Sequence, residues 1–175
     1  MTDQPVNVAT SPTPAALATP STSVPSSPSS PATDAEATTP ASSVPDRQRI
    51  SSGSPYEQPI GFSRAIRVGD RVLVAGTAPV WPDGSVDPDP HTQAARCLEI
   101  IVAALGQAGA TAADVVRTRI YLTDPSVWEA IGRAHGEIFG DIRPASTMVV
   151  VKALLDPRWF VEIEAEAVIS GAAAG

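Results

Sequence analysis

The sequence is poor in several residue types, and each scarcity excludes a class of protein. A single cysteine, Cys97, allows no internal disulfide framework and fits a reducing compartment. No apolar run approaches the ~20 residues that a membrane-spanning helix requires. The first 46 residues contain no lysine, arginine or aromatic residue, so they hold neither the basic start of a secretory signal nor the arginines of a mitochondrial transit peptide. We therefore expect a cytoplasmic protein.

The amino-terminal segment, residues 1–49, is instead rich in serine, threonine, proline and alanine. Its apolar surface is too small to offset the entropy cost of ordering the backbone, and its prolines remove hydrogen-bond donors. We predict a disordered tail that acts as a linker or as a docking arm. Its composition alone also allows an O-glycosylated stalk. Residues 50–170 form the predicted folded domain, and residues 171–175 a flexible carboxyl terminus.

Charge is unevenly distributed along the chain. All 12 basic residues and 16 of the 19 acidic residues lie from Asp46 onward, which leaves that part with a net charge of −4. An acidic domain with scattered arginines is a poor electrostatic match for nucleic acid or for an anionic membrane. We expect neither of them as a partner.

Local signals predict the first elements of the folded part. Gly69-Asp70 lies between two β-branched runs, which is typical of a two-residue hairpin. Asp89 can cap a helix whose first position is Pro90. Apolar residues then recur at helical spacing until Gly109, where the helix is predicted to end.

A strand and a second helix follow. Residues 115–122 alternate in character, as in a strand. The helix is predicted to begin at Asp124 or Ser126, with Ser126 and Glu129 forming a capping box, and to end at Gly140.

The remaining strands complete the predicted fold. Residues 147–151 are apolar on both faces, which indicates burial on both sides, and residues 160–169 alternate. In residues 115–122 we expect Val116 on the buried face. The order of two strands, helix, strand, helix and two strands predicts an α+β fold, with a single sheet carrying two helices on one face.

The second face of this sheet is predicted to carry charge. Arg117 and Arg119 share a face of one strand, and Glu162, Glu164 and Glu166 share a face of the last. Beside them lies an apolar strand, which an ordinary solvated face would not need. We expect this face to pack against another subunit, with a polar edge left as a cleft. The alternative is a monomer with a solvated sheet face.

Familiar catalytic and metal-binding motifs are absent from the sequence. There is no glycine-rich phosphate loop, no Cys/His metal spacing and no Gly-x-Ser-x-Gly elbow. Cys97 is predicted to fill the core, and His135 to lie on a helix surface or an interface.

The strongest acid–base candidate is Glu162. A carboxylate can exchange protons with water or with a leaving nitrogen if burial raises its pKa toward neutrality. The alternative is that the glutamates face solvent or pair with strand arginines, which we favour for Glu164 and Glu166. Arg143 either holds a carboxylate or is a loop arginine in water.

Four segments, taken in order and spacing, resemble the RidA/YjgF family over nearly the whole folded part. They match its glycine loop, its third strand and following turn, its approach to the substrate loop, and its carboxyl-terminal Glu-Ile-Glu-Ala signature. The segments are Val74–Pro79, Asp114–Asp124, Phe139–Ala145 and Glu162–Ala165.

The resemblance implies a chorismate-mutase-like fold and a homotrimer whose sheets pack inward as a barrel-like core, with small-molecule ligands in clefts between subunits. It also implies hydrolysis of reactive enamines and imines, such as 2-iminopropanoate, to a carbonyl compound and ammonia, without metal or cofactor.

The chain departs from the family pattern at several site positions. Ser146 stands where the family's arginine grips the substrate carboxylate, and a hydroxyl cannot replace a bidentate ion pair. Met148 replaces a common cysteine, Phe62 a tyrosine, and Gly132 an asparagine.

Other site positions are retained or suggest compensation. The resemblance assigns Glu162 to the attacking water and Gly76 to the loop that holds the reacting group, together with the backbone at Met148. Arg143 could reach into the cleft, or the substrate could lack a carboxylate and contact Phe62 and Trp81. We therefore expect an imine hydrolase of altered specificity; the alternative is a non-catalytic trimer that binds a small molecule or a partner.

Overall fold

A computed structural model of the chain describes residues 46–171. One six-stranded sheet is covered on one face by two long helices. The strands are β1 Arg47–Ile50, β2 Ala65–Val68, β3 Arg71–Thr77, β4 Val115–Leu122, β5 Ala145–Val150 and β6 Val161–Val168, and the helices are α1 Glu57–Ile60, α2 Pro90–Gln107 and α3 Trp128–Phe139. The predicted α+β class with a single sheet is confirmed. The predicted tail up to residue 45 and the terminus after residue 171 lie outside the described residues.

The sheet is mixed. Its strand order is β1–β2–β3–β6–β4–β5, and every neighbouring pair is antiparallel except β4 and β5, which are parallel. β6, the last strand, therefore inserts into the middle of the sheet. Within the described residues, no helix is both long enough and apolar enough to cross a membrane.

Two short elements were not predicted. β1 pairs with β2 and starts at Arg47, so the sheet begins ahead of the predicted domain start at residue 50. Only Ile50 of β1 is buried, and its polar residues give no strand signal. The single-turn helix α1 ends at Gly61, which adopts φ +81°.

The hairpin and the first long helix are confirmed. β2 and β3 pair around Gly69-Asp70, and Gly69 has the positive φ, +63°, that such a turn requires. The Asp89 carboxylate accepts a hydrogen bond from the backbone N–H of Thr92 at 2.8 Å and so caps α2. Gly109 follows the helix at φ +78°.

The predicted buried face of β4 is wrong at its first residues. The register with β6 shifts between Val115 and Arg117, and this bulge exchanges the two faces. Val115 is 3% exposed, whereas Val116 is 47% exposed. A period-two pattern cannot show such an irregularity, because the extra residue is fixed only by pairing with another strand.

The predicted capping box of the second helix is also wrong. The Asp124 carboxylate accepts a hydrogen bond from the N–H of Ser126 at 2.7 Å and caps a short 3-10 turn. α3 then begins at Trp128 without a side-chain cap. Because the turn already leads the chain into the helix, Glu129 makes no reciprocal bond with Ser126. Gly140 follows the last helical residue, as predicted.

Burial of the apolar strand on both faces is wrong for the described chain. β5 pairs with β4 alone and forms an edge of the sheet. Val149 is 44% exposed and Val150 is 53% exposed. Within residues 46–171, no layer covers the face on which the helices do not pack, so Val149 stays exposed on that side. Val150 pairs with the buried Leu122 on the other side and is exposed at the end of this edge strand.

The core lies between the sheet and the two long helices. Cys97 is fully buried there, as predicted, and burial raises the pKa of its thiol. The largest fully buried apolar side chains are Phe139, Leu98, Ile101, Leu105, Ile120, Leu122, Ile131 and Ile163.

Gln93 is a fully buried polar residue of α2 that joins two loops. Its Nε2 donates to the carbonyl oxygens of Asp87 at 2.7 Å and Arg158 at 2.9 Å. Its Oε1 accepts from the N–H of Phe160 at 2.8 Å. These three hydrogen bonds satisfy the buried amide and fix the loop before β6 to α2.

Candidate functional site

Glu162 is placed by an irregularity of the neighbouring strand. The register between β3 and β6 shifts between Val74 and Thr77, so that Ala75 and Gly76 bulge from β3. The Glu162 side chain lies against Gly76, and a Cβ at position 76 would collide with Oε1 of Glu162. A glycine at this position therefore lets the carboxylate lie against the backbone, whereas a Cβ would push the flexible end of the Glu162 side chain aside.

The Glu162 carboxylate is half-buried and faces open space. Burial raises its pKa above the ordinary value, the negative charge of Glu164 adds to the rise, and the positive charge of Arg64 opposes both. In residues 46–171 no side chain or backbone group forms a hydrogen bond with it. A carboxylate in this state can accept a proton from a bound water.

Arg64, just before β2, is the cation whose positive charge acts on the Glu162 carboxylate. The sequence did not single it out. Its Nη1 donates to the carbonyl oxygens of Ala75 at 3.3 Å and Gly76 at 2.9 Å and to the hydroxyl of Thr77 at 2.8 Å. Burial lowers the pKa of Arg64. No local sequence pattern marks Arg64 for this role, because the acceptors of its hydrogen bonds are brought together only by the bulge in β3.

Both groups line one cleft of about 1070 Å³. The cleft lies between the exposed side of α2, the chain around α1, the loop after β3 and the loop before β6. Three of the predicted site residues, Gly76, Phe62 and Trp81, meet Glu162 here. Most of the wall is apolar or aromatic, as is usual for small-molecule sites. The other aromatic and large apolar lining residues are Tyr56, Ile60, Ile100, Leu155 and Trp159.

The remaining predicted site residues lie elsewhere in the single chain. Ser146 and Met148 pair in register with Thr118 and Ile120 of β4, on the helix-covered side of the sheet. Arg143 adopts φ +52° and its Nε donates to the carbonyl oxygen of Gly140 at 3.1 Å. The chain thus holds two separate groups of predicted site residues.

Ser146 belongs to a hydrogen-bonded chain of three side chains. The Thr118 hydroxyl, fully buried, donates to the Ser146 hydroxyl at 2.9 Å and lies 3.0 Å from Nε2 of His135. His135 is half-buried, its ring centroid lies 4.7 Å from that of Phe139, and burial lowers its pKa. The imidazole is therefore held in its neutral form at neutral pH.

The other glutamates of β6 are paired, as predicted. Arg119 contacts Glu164 at 3.0 Å and Glu166 at 2.9 Å across the strands. The Tyr121 hydroxyl donates to Glu164 at 2.8 Å. These pairs form with Arg119, and among the described side chains Arg117 makes no ion pair. Of the three glutamates, it is Glu162 that lies free in the cleft.

Comparison with known proteins agrees with this geometry. The family model described as "Endoribonuclease L-PSP" matches residues 55–169. The crystal structure of Rv2704 from Mycobacterium tuberculosis, a member of the YjgF/YER057c/UK114 family, superimposes with a TM-score of 0.66. It is 49% identical and covers 71% of this chain and 100% of its own. The chain belongs to the RidA/YjgF family.

Other RidA/YjgF relatives extend the comparison. An uncharacterised protein of Streptomyces coelicolor is 40% identical over 121 residues, which cover 69% of this chain and 90% of the relative. The crystal structure of Escherichia coli TdcF with bound serine has a TM-score of 0.60 at 25% identity, covering 70% of this chain and 94% of TdcF. The chorismate-mutase-like fold implied by the resemblance is thereby confirmed.

Proposed function

We propose that this RidA/YjgF protein is a hydrolase of the enamine/imine type with altered substrate specificity. Its substrate is a 2-imino acid or a related reactive imine, and its products are a carbonyl compound and ammonia. The observation that carries this proposal is the half-buried Glu162 carboxylate, unpartnered within the described chain, against Gly76 in an aromatic cleft.

The chemistry requires only water and a group that moves protons. Starting from the protonated imine, Glu162 accepts a proton from a water molecule as the water oxygen bonds to the imine carbon, and the C=N electron pair moves to nitrogen. The protonated carboxyl then gives this proton to the nitrogen of the carbinolamine. The carboxylate takes the hydroxyl proton as the C=O bond forms and ammonia leaves, and ammonia carries that proton away as ammonium. The raised pKa of Glu162 suits both directions of transfer.

The two groups of predicted site residues support an assembly-dependent site. In a homotrimer, the cleft around Glu162 of one subunit would meet Ser146 and Met148 of the next, and the ligand would lie between them. Exposed apolar residues on the uncovered part of the sheet, including Leu73 and Val149, support burial against another copy. Such a cyclic arrangement is a closed symmetry.

A second candidate is a non-catalytic trimer that binds a small molecule or a partner and keeps only the fold. Ser146 favours it, because its hydroxyl is engaged with Thr118 and carries no charge. An RNA substrate is less favoured, because the part of the chain from Asp46 onward has a net charge of −4.

A trap-competition assay tests the proposal. An amino-acid oxidase generates 2-iminopropanoate, semicarbazide captures it, and the captured product is followed with wild type, Glu162→Gln and Ser146→Arg. We expect wild type to compete with the trap and Glu162→Gln to lose at least about 100-fold of that rate. Glu164→Gln is the matched control, because it removes a carboxylate of the same strand that is already paired.

The other outcomes separate the two candidates. If only Ser146→Arg competes, the scaffold is intact but serves a different ligand. If neither wild type nor Ser146→Arg competes, imino-acid hydrolysis is excluded and the binding function is retained as the explanation.

A further inference from the structure

The guanidinium of Arg64 is fixed from one side by the bulge of β3. Its Nη1 bonds to two carbonyl oxygens and one hydroxyl, all from Ala75, Gly76 and Thr77. Its Nε is enclosed without a partner in the described chain, whereas Nη2 is neither enclosed nor hydrogen-bonded there. Nη2 is therefore the nitrogen of this guanidinium that is left for a ligand, and Arg64 lines the cleft.

The positive charge of Arg64 has no direct counter-ion within residues 46–171. Glu57 and Glu162 act on it through space only, and Glu57 is engaged by the hydroxyls of Ser51 and Ser52. Arg64 is partly buried and so has lost part of its hydration, which lowers the pKa of its guanidinium. A partly desolvated charge of this kind lowers the stability of the folded protein unless an anion binds beside it.

The second arginine of the cleft differs in each respect. Arg96 pairs with Glu99 at 2.7 Å, donates to the carbonyl oxygen of Val80 at 3.0 Å and lies over the ring of Trp81. Its charge is compensated by its own helix, and it does not need a ligand. Arg64 is therefore the cation in this cleft that is set up to receive an anion.

We infer that Arg64 binds a carboxylate of the ligand through Nη2, in the part of the cleft next to Gly76 and Glu162. The carboxylate then lies between Arg64 and the reacting carbon, which Glu162 and its water approach. The assignment of a reacting carbon rests on the proposed function, whereas binding of the carboxylate does not.

This arrangement removes the need for a cation at position 146. A single nitrogen makes a one-point contact, which orients the carboxylate less strictly than a bidentate fork. The ligand must therefore gain part of its orientation from the aromatic wall formed by Phe62 and Trp81. We expect a preference for imino acids with an apolar side chain.

Binding of a product-like carboxylate tests the inference without turnover. The full chain is titrated calorimetrically with pyruvate and with pyruvamide, its uncharged counterpart. Wild type is expected to bind pyruvate at least about 10-fold more tightly than pyruvamide, as a charge-assisted bond provides. Arg64→Gln should abolish this preference, Arg64→Lys should keep part of it, and Arg133→Gln, the matched control at an exposed arginine of α3 outside the cleft, should keep all of it.

Several results would overturn the inference. They are the absence of pyruvate binding by wild type, equal binding of the two probes, and an unchanged preference in Arg64→Gln. If Arg64→Gln does not fold, as its circular dichroism would show, the comparison of the two probes on wild type and on Arg64→Lys still decides.

The inference and the proposed function fail in different ways. Glu162→Gln should lose hydrolysis and keep its preference for pyruvate, while Arg64→Gln should raise KM by about 10- to 100-fold with a smaller change in kcat. Hydrolysis that depends on Glu162 but not on Arg64 would leave the proposed function standing and remove the role of Arg64.

Discussion

Glu162 and Glu164 stand two residues apart on the same face of β6 and have opposite environments. Glu164 forms an ion pair with Arg119 and accepts a hydrogen bond from the Tyr121 hydroxyl, so its carboxylate links β6 to β4. Glu162 adjoins the bulge at Gly76, where the nearby cation is tied to the backbone instead. The neighbouring strand, rather than the glutamate itself, therefore determines which carboxylate is left without a partner in the described chain.

The largest effect on the environment of Glu162 is expected from filling the space at the bulge. In Gly76→Ala, the new Cβ would occupy the position of the Glu162 carboxylate, so the side chain or the bulge must move. Because the colliding atom is the end of a flexible side chain, we expect the carboxylate to move aside with a change of less than about 1 kcal/mol in the free energy of unfolding, and trap-competition activity to be largely lost. Chemical denaturation and the assay measure the two effects.

The control for this substitution is Gly106→Ala in α2, where a Cβ meets nothing within 4 Å. It should keep activity and raise stability by up to about 1 kcal/mol through helix propensity. Equal behaviour of the two alanine variants would contradict the importance of the close approach at Gly76.

The next largest effect is expected in the pH dependence of stability at Glu162. Burial raises the folded-state pKa of Glu162 above its ordinary value of 4.5, so between these two values the unfolded chain binds fewer protons than the folded one. Stability is therefore lost as pH rises through this window. Glu162→Gln should melt at a higher temperature than wild type at neutral pH, and this advantage should disappear below pH 4.5.

The matching measurement uses Glu129→Gln, which removes an exposed carboxylate from α3. Glu129 lies in the first turn of α3, where a negative charge is favourable, so its removal should not raise the melting temperature at neutral pH. A Glu162→Gln variant that is less stable than wild type at neutral pH would contradict the raised pKa.

The smallest effect is expected on the paired side. Tyr121→Phe removes the hydroxyl that donates to Glu164, while Arg119 keeps its contact with that carboxylate. We expect a loss of less than about 1 kcal/mol and unchanged hydrolysis. A large loss of activity would mean that the paired network extends into the cleft.

Features that depend on neighbours in sequence were predicted from the sequence. The turn at Gly69-Asp70 and the cap at Asp89 are decided by bonds within a few residues. The pairing of strand arginines with Glu164 and Glu166 also followed, because alternation fixes which side chains share a face.

Features that depend on the register between strands were not predicted from the sequence. The bulges that expose Val116 and place Gly76 arise only when β6 pairs with β4 and β3. Arg64 gains its acceptors from the second bulge, so no local pattern marks it. The family resemblance named Glu162 and Gly76, and the structure adds the cation beside them.

Gln93 has a consequence for how this site can diverge. Its three hydrogen bonds anchor the end of the loop before β6, at Arg158 and Phe160, to α2. Leu155, earlier in the same loop, is 94% exposed and borders the cleft. Insertions or substitutions around Leu155 can therefore reshape the entrance while the anchor keeps Glu162 in register. This stretch is a natural place for evolution or directed selection to change ligand preference without displacing Glu162.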